Sequence, residues 1–181
     1  MRVLVPLVDG FEEIEFSTIV DILRRAELEV TTAGLKEGAI DGAHGIKVIP
    51  DTLIDKVSAG DFDVIVLPGG YPGFVNLGKD ERVLELVREM HGKNKHVAAI
   101  CGAPSVLSKA GILEGRKSTI HPAVKDMLSG AKHVDKRVVV DGKIITSQGP
   151  GTAMEFSMKL VEVLVGKPRV AQINEEVLAN L

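Results

Sequence analysis

The chain has 181 residues, 45% of them hydrophobic and 26% charged, with a formal net charge of −3 and a single cysteine. This balance suits a globular protein with a full core, and it argues against nucleic acid as a partner, because there is no basic block and aromatic residues are few. One cysteine cannot form an internal disulfide, which points to a reducing compartment, and no apolar run approaches the length of a membrane span.

Arg2–Val8 reads as a buried strand that starts at once and leaves no room for a leader segment, so a cytoplasmic protein is expected. Glu12–Ala26 has helical period, with Ile14, Ile19, Ile22 and Leu23 inward. Glu29–Gly34 is a second strand, and Ile40–Pro50 is a short excursion carrying a strand over Lys47–Ile49. Asp63–Pro68 is a further strand, followed by Gly69-Gly70 and a loop over Tyr71–Gly78. Asp80–Gly92 is a helix, and His96–Ile100 is the strand that leads to Cys101. Later, Arg137–Val140 and Lys143–Ser147 flank Asp141-Gly142, a two-residue hairpin turn. Gly149–Thr152 opens a helix through Val165, and Gly166-Lys167-Pro168 sets off a last amphipathic helix. Buried strands alternating with helices imply right-handed crossovers, and so a doubly wound α/β fold with a mostly parallel sheet and helices on both faces. No repeat or linker divides the chain, and residues 1–181 are expected to form one domain.

The chemistry concentrates at strand ends. The apolar run Val97–Ile100 stops at Cys101, and the small residues Gly102-Ala103 with Pro104 open a helical segment, the pattern of a strand–nucleophile–helix elbow. Free N–H groups at such a turn favour the thiolate; the competing reading is a buried thiol acting as a small hydrophobe. In a parallel sheet the turns Asp9–Glu15, Gly69-Gly70 and Cys101-Gly102 would converge beyond the carboxyl ends of their strands. Glu15, between Ile14 and Phe16, is the carboxylate suited to a dry pocket, although first-turn acids also serve the helix dipole. Two adjacent anions repel, so a working pair needs a protonated Glu15 donating to a Cys101 thiolate. Gly69-Gly70 is either a plain turn or a source of N–H groups for an oxyanion. His121, before Pro122, either caps a helix or supplies an imidazole. The histidines lack the spacing of zinc ligands and Gly69-Gly70 opens no GxGxxG turn, so neither metal nor cofactor is expected.

These residues resemble the ThiJ/PfpI superfamily, and within it the DJ-one branch. The likeness runs nearly end to end through Glu12-Glu13-Ile14-Glu15, Val66-Leu67-Pro68-Gly69-Gly70, Ala98-Ala99-Ile100-Cys101, Thr119-Ile120-His121-Pro122 and Thr146-Ser147-Gln148-Gly149-Pro150-Gly151-Thr152. The resemblance implies a flavodoxin-like fold related to class I glutamine amidotransferases. It also implies Cys101 as the nucleophile and oxidation-sensitive residue, Glu15 as its protonated partner, and Gly70 and Gly102 as oxyanion-hole donors. His121 would be the nearby imidazole, oriented by Asp21 across a homodimer interface, with Arg25 and His44 as interface or pocket-rim groups. Human-like members carry arginine at the His44 position.

The activity implied is cofactor-independent conversion of reactive 2-oxoaldehydes such as methylglyoxal, of the glyoxalase III type, with deglycation also attributed to the branch. The alternative it implies is a redox sensor or stress chaperone acting through oxidation of Cys101 to the sulfinate. Protease-like members place a histidine directly after the nucleophile. Gly102 stands there in this chain, which disfavours a peptidase because the base that would protonate the leaving amine is missing.

Overall fold

The apolar runs become the central strands of one sheet. In the computed structural model, which describes residues 1–181, β1 (Arg2–Leu7) leads into α1 (Glu13–Arg25) and back to β2 (Glu29–Gly34). A small hairpin of β3 (Ile40–Asp41) and β4 (Lys47–Val48) and an edge strand β5 (Thr52–Leu53) precede β6 (Val64–Leu67). Helices α2 (Gly73–Leu77) and α3 (Glu81–Gly92) connect β6 to β7 (His96–Ile100), and α4 (Pro104–Lys109) follows. The short pair β8 (Lys117–Ser118) and β9 (Lys132–His133) brackets a 3-10 turn over Pro122–Met127. The chain ends with β10 (Val138–Asp141), β11 (Ile144–Ser147), α5 (Ala153–Leu164) and α6 (Lys167–Val177).

The seven-stranded sheet has the order β10-β11-β7-β6-β1-β2-β5, parallel throughout except for β10, which runs antiparallel to β11. Chain order runs outward in one direction from β1 to β2 and in the other from β6 through β7 to β11. This is the flavodoxin-like arrangement, and its switch point lies between β1 and β6, where a crevice opens beyond the carboxyl ends of the strands.

Side chains alternate across the strands and build two cores. Leu4, Ile65, Leu67, Val97 and Ala99 face α3 and α4, while Val3, Val5, Val66, Ala98 and Ile100 face α1 and α5. Strands apolar on both faces are what a sheet covered by helices on both sides demands. No helix of the molecule is long and apolar enough to cross a membrane.

Three details depart from the sequence reading. Ile14 is 56% exposed rather than inward, because the first turn of α1 buries Glu12, Glu13 and Glu15 instead. Gly73–Leu77 is a short helix rather than loop, with the Phe74 and Leu77 side chains sunk in the core. The hairpin turn is shifted by one residue: Asp141 pairs with Ile144, so Gly142 and Lys143 form the turn, and Gly142 supplies the positive φ of 62°.

Candidate active site

Three neighbouring strands, β1, β6 and β7, deliver the candidate groups at the switch point. β7 ends at Ile100, and Cys101 turns the chain in the left-handed region with φ 64°. A side chain other than glycine is strained there by about 1–2 kcal/mol. Two backbone bonds hold it: Cys101 N donates to the Ser147 carbonyl at 3.0 Å, and the Cys101 carbonyl accepts from His121 N at 2.9 Å.

Glu15 comes from α1, and its side chain is fully buried. Its Oε2 accepts the Gly69 N–H at 2.7 Å, whereas Oε1 is buried without a hydrogen-bond partner of ordinary geometry. Burial pushes the Glu15 carboxyl up to about 7, although the Gly69 bond and the neighbouring Cys101 pull it down. Burial also pushes the Cys101 thiol up to about 12, with the Glu15 charge adding to the rise and the N–H groups of Gly70 and Gly102 opposing it.

The turn therefore does not favour the thiolate on its own. Desolvation outweighs the two N–H groups, and α4 contributes only six residues beginning at Pro104. Two charges cannot share the dry site, so the pair keeps one proton well above neutrality. The position of that proton decides the chemistry. On Glu15 it leaves a thiolate facing two backbone donors; on the sulfur it leaves a carboxylate facing one.

The glycines around the pair are demanded by contact. A Cβ on Gly69 would sit 2.5 Å from the Cys101 Cβ and 2.8 Å from Glu15 Oε2. At Gly70, with φ +94°, a Cβ would fall 2.2 Å from the Glu12 backbone nitrogen. Only glycine lets this loop pass beneath the thiol.

Residues 1–163 match the family described as DJ-1/PfpI. The chain belongs to the DJ-1/PfpI family. It is 43% identical to protein dj-1beta of Drosophila melanogaster over 178 residues, covering 97% of this chain and 95% of that protein. The crystal structure of Drosophila melanogaster DJ-1beta superposes with a TM-score of 0.94, covering 98% of this chain and 97% of that one. A deglycase of Pyrococcus abyssi is 38% identical over 167 residues, 91% of this chain and 99% of that protein. Protein DJ-1 homolog A of Arabidopsis thaliana is 40% identical over 179 residues; 98% of this chain aligns, but it spans only 46% of that longer relative.

The other residues singled out in this DJ-1/PfpI chain have mixed placements. His121 is the N-cap of the turn over Pro122–Met127, its Nδ1 accepting from Ala123 N at 3.2 Å, which leaves the proton on Nε2. Its imidazole edge lies against Gly149, where a Cβ would be 3.1 Å from Cδ2. Asp21 accepts from Arg25 Nε at 2.8 Å, and Arg25 also lies 3.7 Å from Glu176. Within one chain, Asp21 and Arg25 therefore form an exposed pair of their own.

His44 is exposed and lies 3.0 Å from Glu13 Oε2 and 3.5 Å from Glu12 Oε2. The sequence spacing hid this cluster, whose ligand-type atoms all lie within 4.8 Å of one another. Glu13 Oε1 is already engaged by the backbone N–H groups of His44, at 2.6 Å, and Ile46, at 3.4 Å. The cluster thus ties the β3–β4 hairpin to α1.

Glu12, Glu13 and Ser105 are site residues that the sequence reading did not assign, and Gly69, read with Gly70 as a turn or an oxyanion donor, gives its N–H to Glu15. Ser105 Oγ donates to the Gly102 carbonyl at 2.6 Å and steadies the elbow. A signal for the acids was present. Stepping back from Ile22 and Ile19 by three and four residues reaches Glu15 and then Glu12, not Ile14.

Proposed function

We propose that this protein is a cysteine-dependent, cofactor-independent enzyme of the glyoxalase III or deglycase type, converting 2-oxoaldehydes such as methylglyoxal into 2-hydroxy acids. The observation that carries this reading is the contact between Cys101 and the buried Glu15, with the Gly70 and Gly102 N–H groups turned to the sulfur. The deglycase of Pyrococcus abyssi among its relatives supports it.

In this scheme the thiolate adds to the aldehyde carbon, forming a carbon–sulfur bond while the carbonyl oxygen takes up a proton from Glu15. The Gly70 and Gly102 amides stabilise the charge that develops on that oxygen. The Glu15 carboxylate then removes the proton from the former aldehyde carbon and returns it to the adjacent carbon through an enediol, while the hydroxyl proton passes from the first oxygen to the second. The product is a thioester of the 2-hydroxy acid, and water cleaves it to release the acid and the free thiol. His121, fixed by its cap, is the further proton carrier in this reading. The reading also includes a cytoplasmic homodimer in which Asp21 of one copy orients His121 of the other, with Arg25 and His44 at the rim.

The test is methylglyoxal conversion to lactate without glutathione, metal or cofactor. Cys101→Ser is expected to fall to background and Glu15→Gln to lose on the order of 10²-fold or more. Full turnover by Cys101→Ser would overturn the reading.

The partly exposed position of this sole thiol favours a second reading, a redox sensor or stress chaperone. One peroxide molecule would convert the thiolate to a sulfenate with release of water, and a second would give the sulfinate. Glu15 would then donate to the sulfinate oxygen. Intact-mass measurement after mild peroxide would show two added oxygens in the parent and none in Cys101→Ser. An effect of that oxidation on client aggregation would separate this reading from the enzymatic one.

A further inference from the structure

A cleft of about 510 Å³ opens between α2, α4 and the turn of residues 122–129, and Cys101 does not line it. Its volume lies within the range of small-molecule sites, roughly 300–1,000 Å³. Phe74 and Val106, both anchored in the core, form an apolar wall. Met127, 44% exposed, adds a flexible and polarisable surface to it.

The rim of the cleft carries the charge. Lys79 and Lys109 line it at the C-terminal ends of α2 and α4, where the carbonyl dipoles favour a cation. Like most lysines of the chain, neither takes part in an ion pair, so both ammonium groups are uncommitted. Asp126 is the one acid in the lining and is also unpaired, so the cleft presents one net positive charge beside an apolar wall. The Ser129 hydroxyl adds an uncommitted polar group, because Ser108 Oγ bonds only to the Ser129 carbonyl, at 2.9 Å.

Charge and shape together define the ligand. We infer that this cleft binds an apolar organic anion of the medium-chain carboxylate class, with its charged end at Lys79 and Lys109 and its chain along Phe74, Val106 and Met127. The site is separate from the candidate active site but shares a wall with it. The Phe74 ring that lines the cleft packs on Gly102, where a Cβ would lie 2.5 Å from Phe74 Cδ1.

The experiment is calorimetric titration of the full chain with octanoate, using octanol as the neutral control. Octanoate is expected to bind saturably to the parent and equally to Cys101→Ser, with octanol at least tenfold weaker. The double variant Lys79→Gln/Lys109→Gln and the single variant Met127→Asp, all at exposed positions, are each expected to weaken octanoate at least tenfold. Absence of saturable binding, or equal binding by the lysine double variant, would overturn the inference. So would loss of binding in Cys101→Ser, since it would place the anion at the thiol; methylglyoxal turnover by the parent would still decide the proposed function independently.

Discussion

Glu15 and Gly69 are joined by a 2.7 Å hydrogen bond from the loop after β6 to a carboxyl on α1. The same loop residue gives its carbonyl to Glu12 N at 3.0 Å, so the first turn of α1 grips Gly69 from both sides. Glu15 therefore has a structural role beside its proposed chemical one. Glu15→Ala would leave the buried Gly69 N–H unpaired, at about 1–3 kcal/mol. Glu15→Gln keeps an acceptor for that N–H and isolates the loss of the acid.

The Glu15 contribution to stability should fall as pH rises. The folded carboxyl holds its proton up to about 7, whereas an unfolded glutamic acid releases it near 4.5. Below 4.5 Glu15 is protonated in both states and its contribution is fully present; between 4.5 and 7 only the unfolded state ionises, so that contribution declines, and above 7 it levels off. At about 1.4 kcal/mol per pH unit, the loss is on the order of 3 kcal/mol. Urea unfolding at pH 4.5 and pH 8 should show this decline in the parent and a much flatter dependence in Glu15→Gln. A parent as flat as the variant would mean that the carboxyl is ionised in the fold.

Thiol reactivity should report where the shared proton rests. If it rests on Glu15, the pair's first ionisation exposes a thiolate, and iodoacetamide alkylation of Cys101 levels off with a midpoint well below that of a buried thiol standing beside a carboxylate. In Glu15→Gln that midpoint should vanish, leaving only the steady rise of an isolated, partly buried thiol toward higher pH. A profile that moves to lower pH in the variant would place the first negative charge on the carboxyl rather than the sulfur, because that charge raises the thiol.

The strands were legible because fully buried parallel strands carry continuous apolar runs, such as Val64–Leu67 and Val97–Ile100. The elbow was legible because Cys101 is followed by small residues at a strand end. The exposure of Ile14 was not, because hydrophobicity says inward while the start of α1 turns Glu12, Glu13 and Glu15 inward in its place. The Glu13–His44 contact joins residues thirty-one positions apart through a hairpin whose strands have two residues each, too short to leave a periodic signal. The cap role of His121 could be read from the proline that follows it, but the position of its ring against Gly149 could not.

The loop glycines predict a steep response to a single methyl group. In Gly70→Ala the new Cβ meets backbone atoms of Phe11 and Glu12, which cannot rotate away, and the residue must also hold a positive φ. A loss of about 3 kcal/mol or more is expected in urea unfolding. Gly102→Ala instead meets the Phe74 ring, a side chain, and should be milder in stability. Its effect should show in thiol reactivity, because moving Phe74 moves the elbow. Equal losses from the two substitutions would contradict the distinction between backbone and side-chain clashes.

Glu13 and His44 form a contact whose two halves should behave unequally. Burial raises the Glu13 carboxyl, but the hydrogen bonds from the His44 ring and from the His44 and Ile46 backbone prevail and hold it below the ordinary range. The Glu13 bond, with the charges of Glu12 and Glu13, raises His44 above the ordinary imidazole value. The Glu13 contribution is present above the ordinary carboxyl range and is lost on acidification; the His44 contribution is present at low pH and is lost as pH rises through its raised value. The carboxylate is buried and accepts backbone donors, whereas the imidazole is exposed and screened by solvent. Glu13→Ala should therefore cost about 2 kcal/mol and speed hydrogen exchange at the His44 and Ile46 amides, which lose their acceptor. His44→Ala should leave both amides protected, since Glu13 still receives their N–H groups. Faster exchange in His44→Ala than in Glu13→Ala would show that the ring, not the carboxylate, anchors the hairpin to α1.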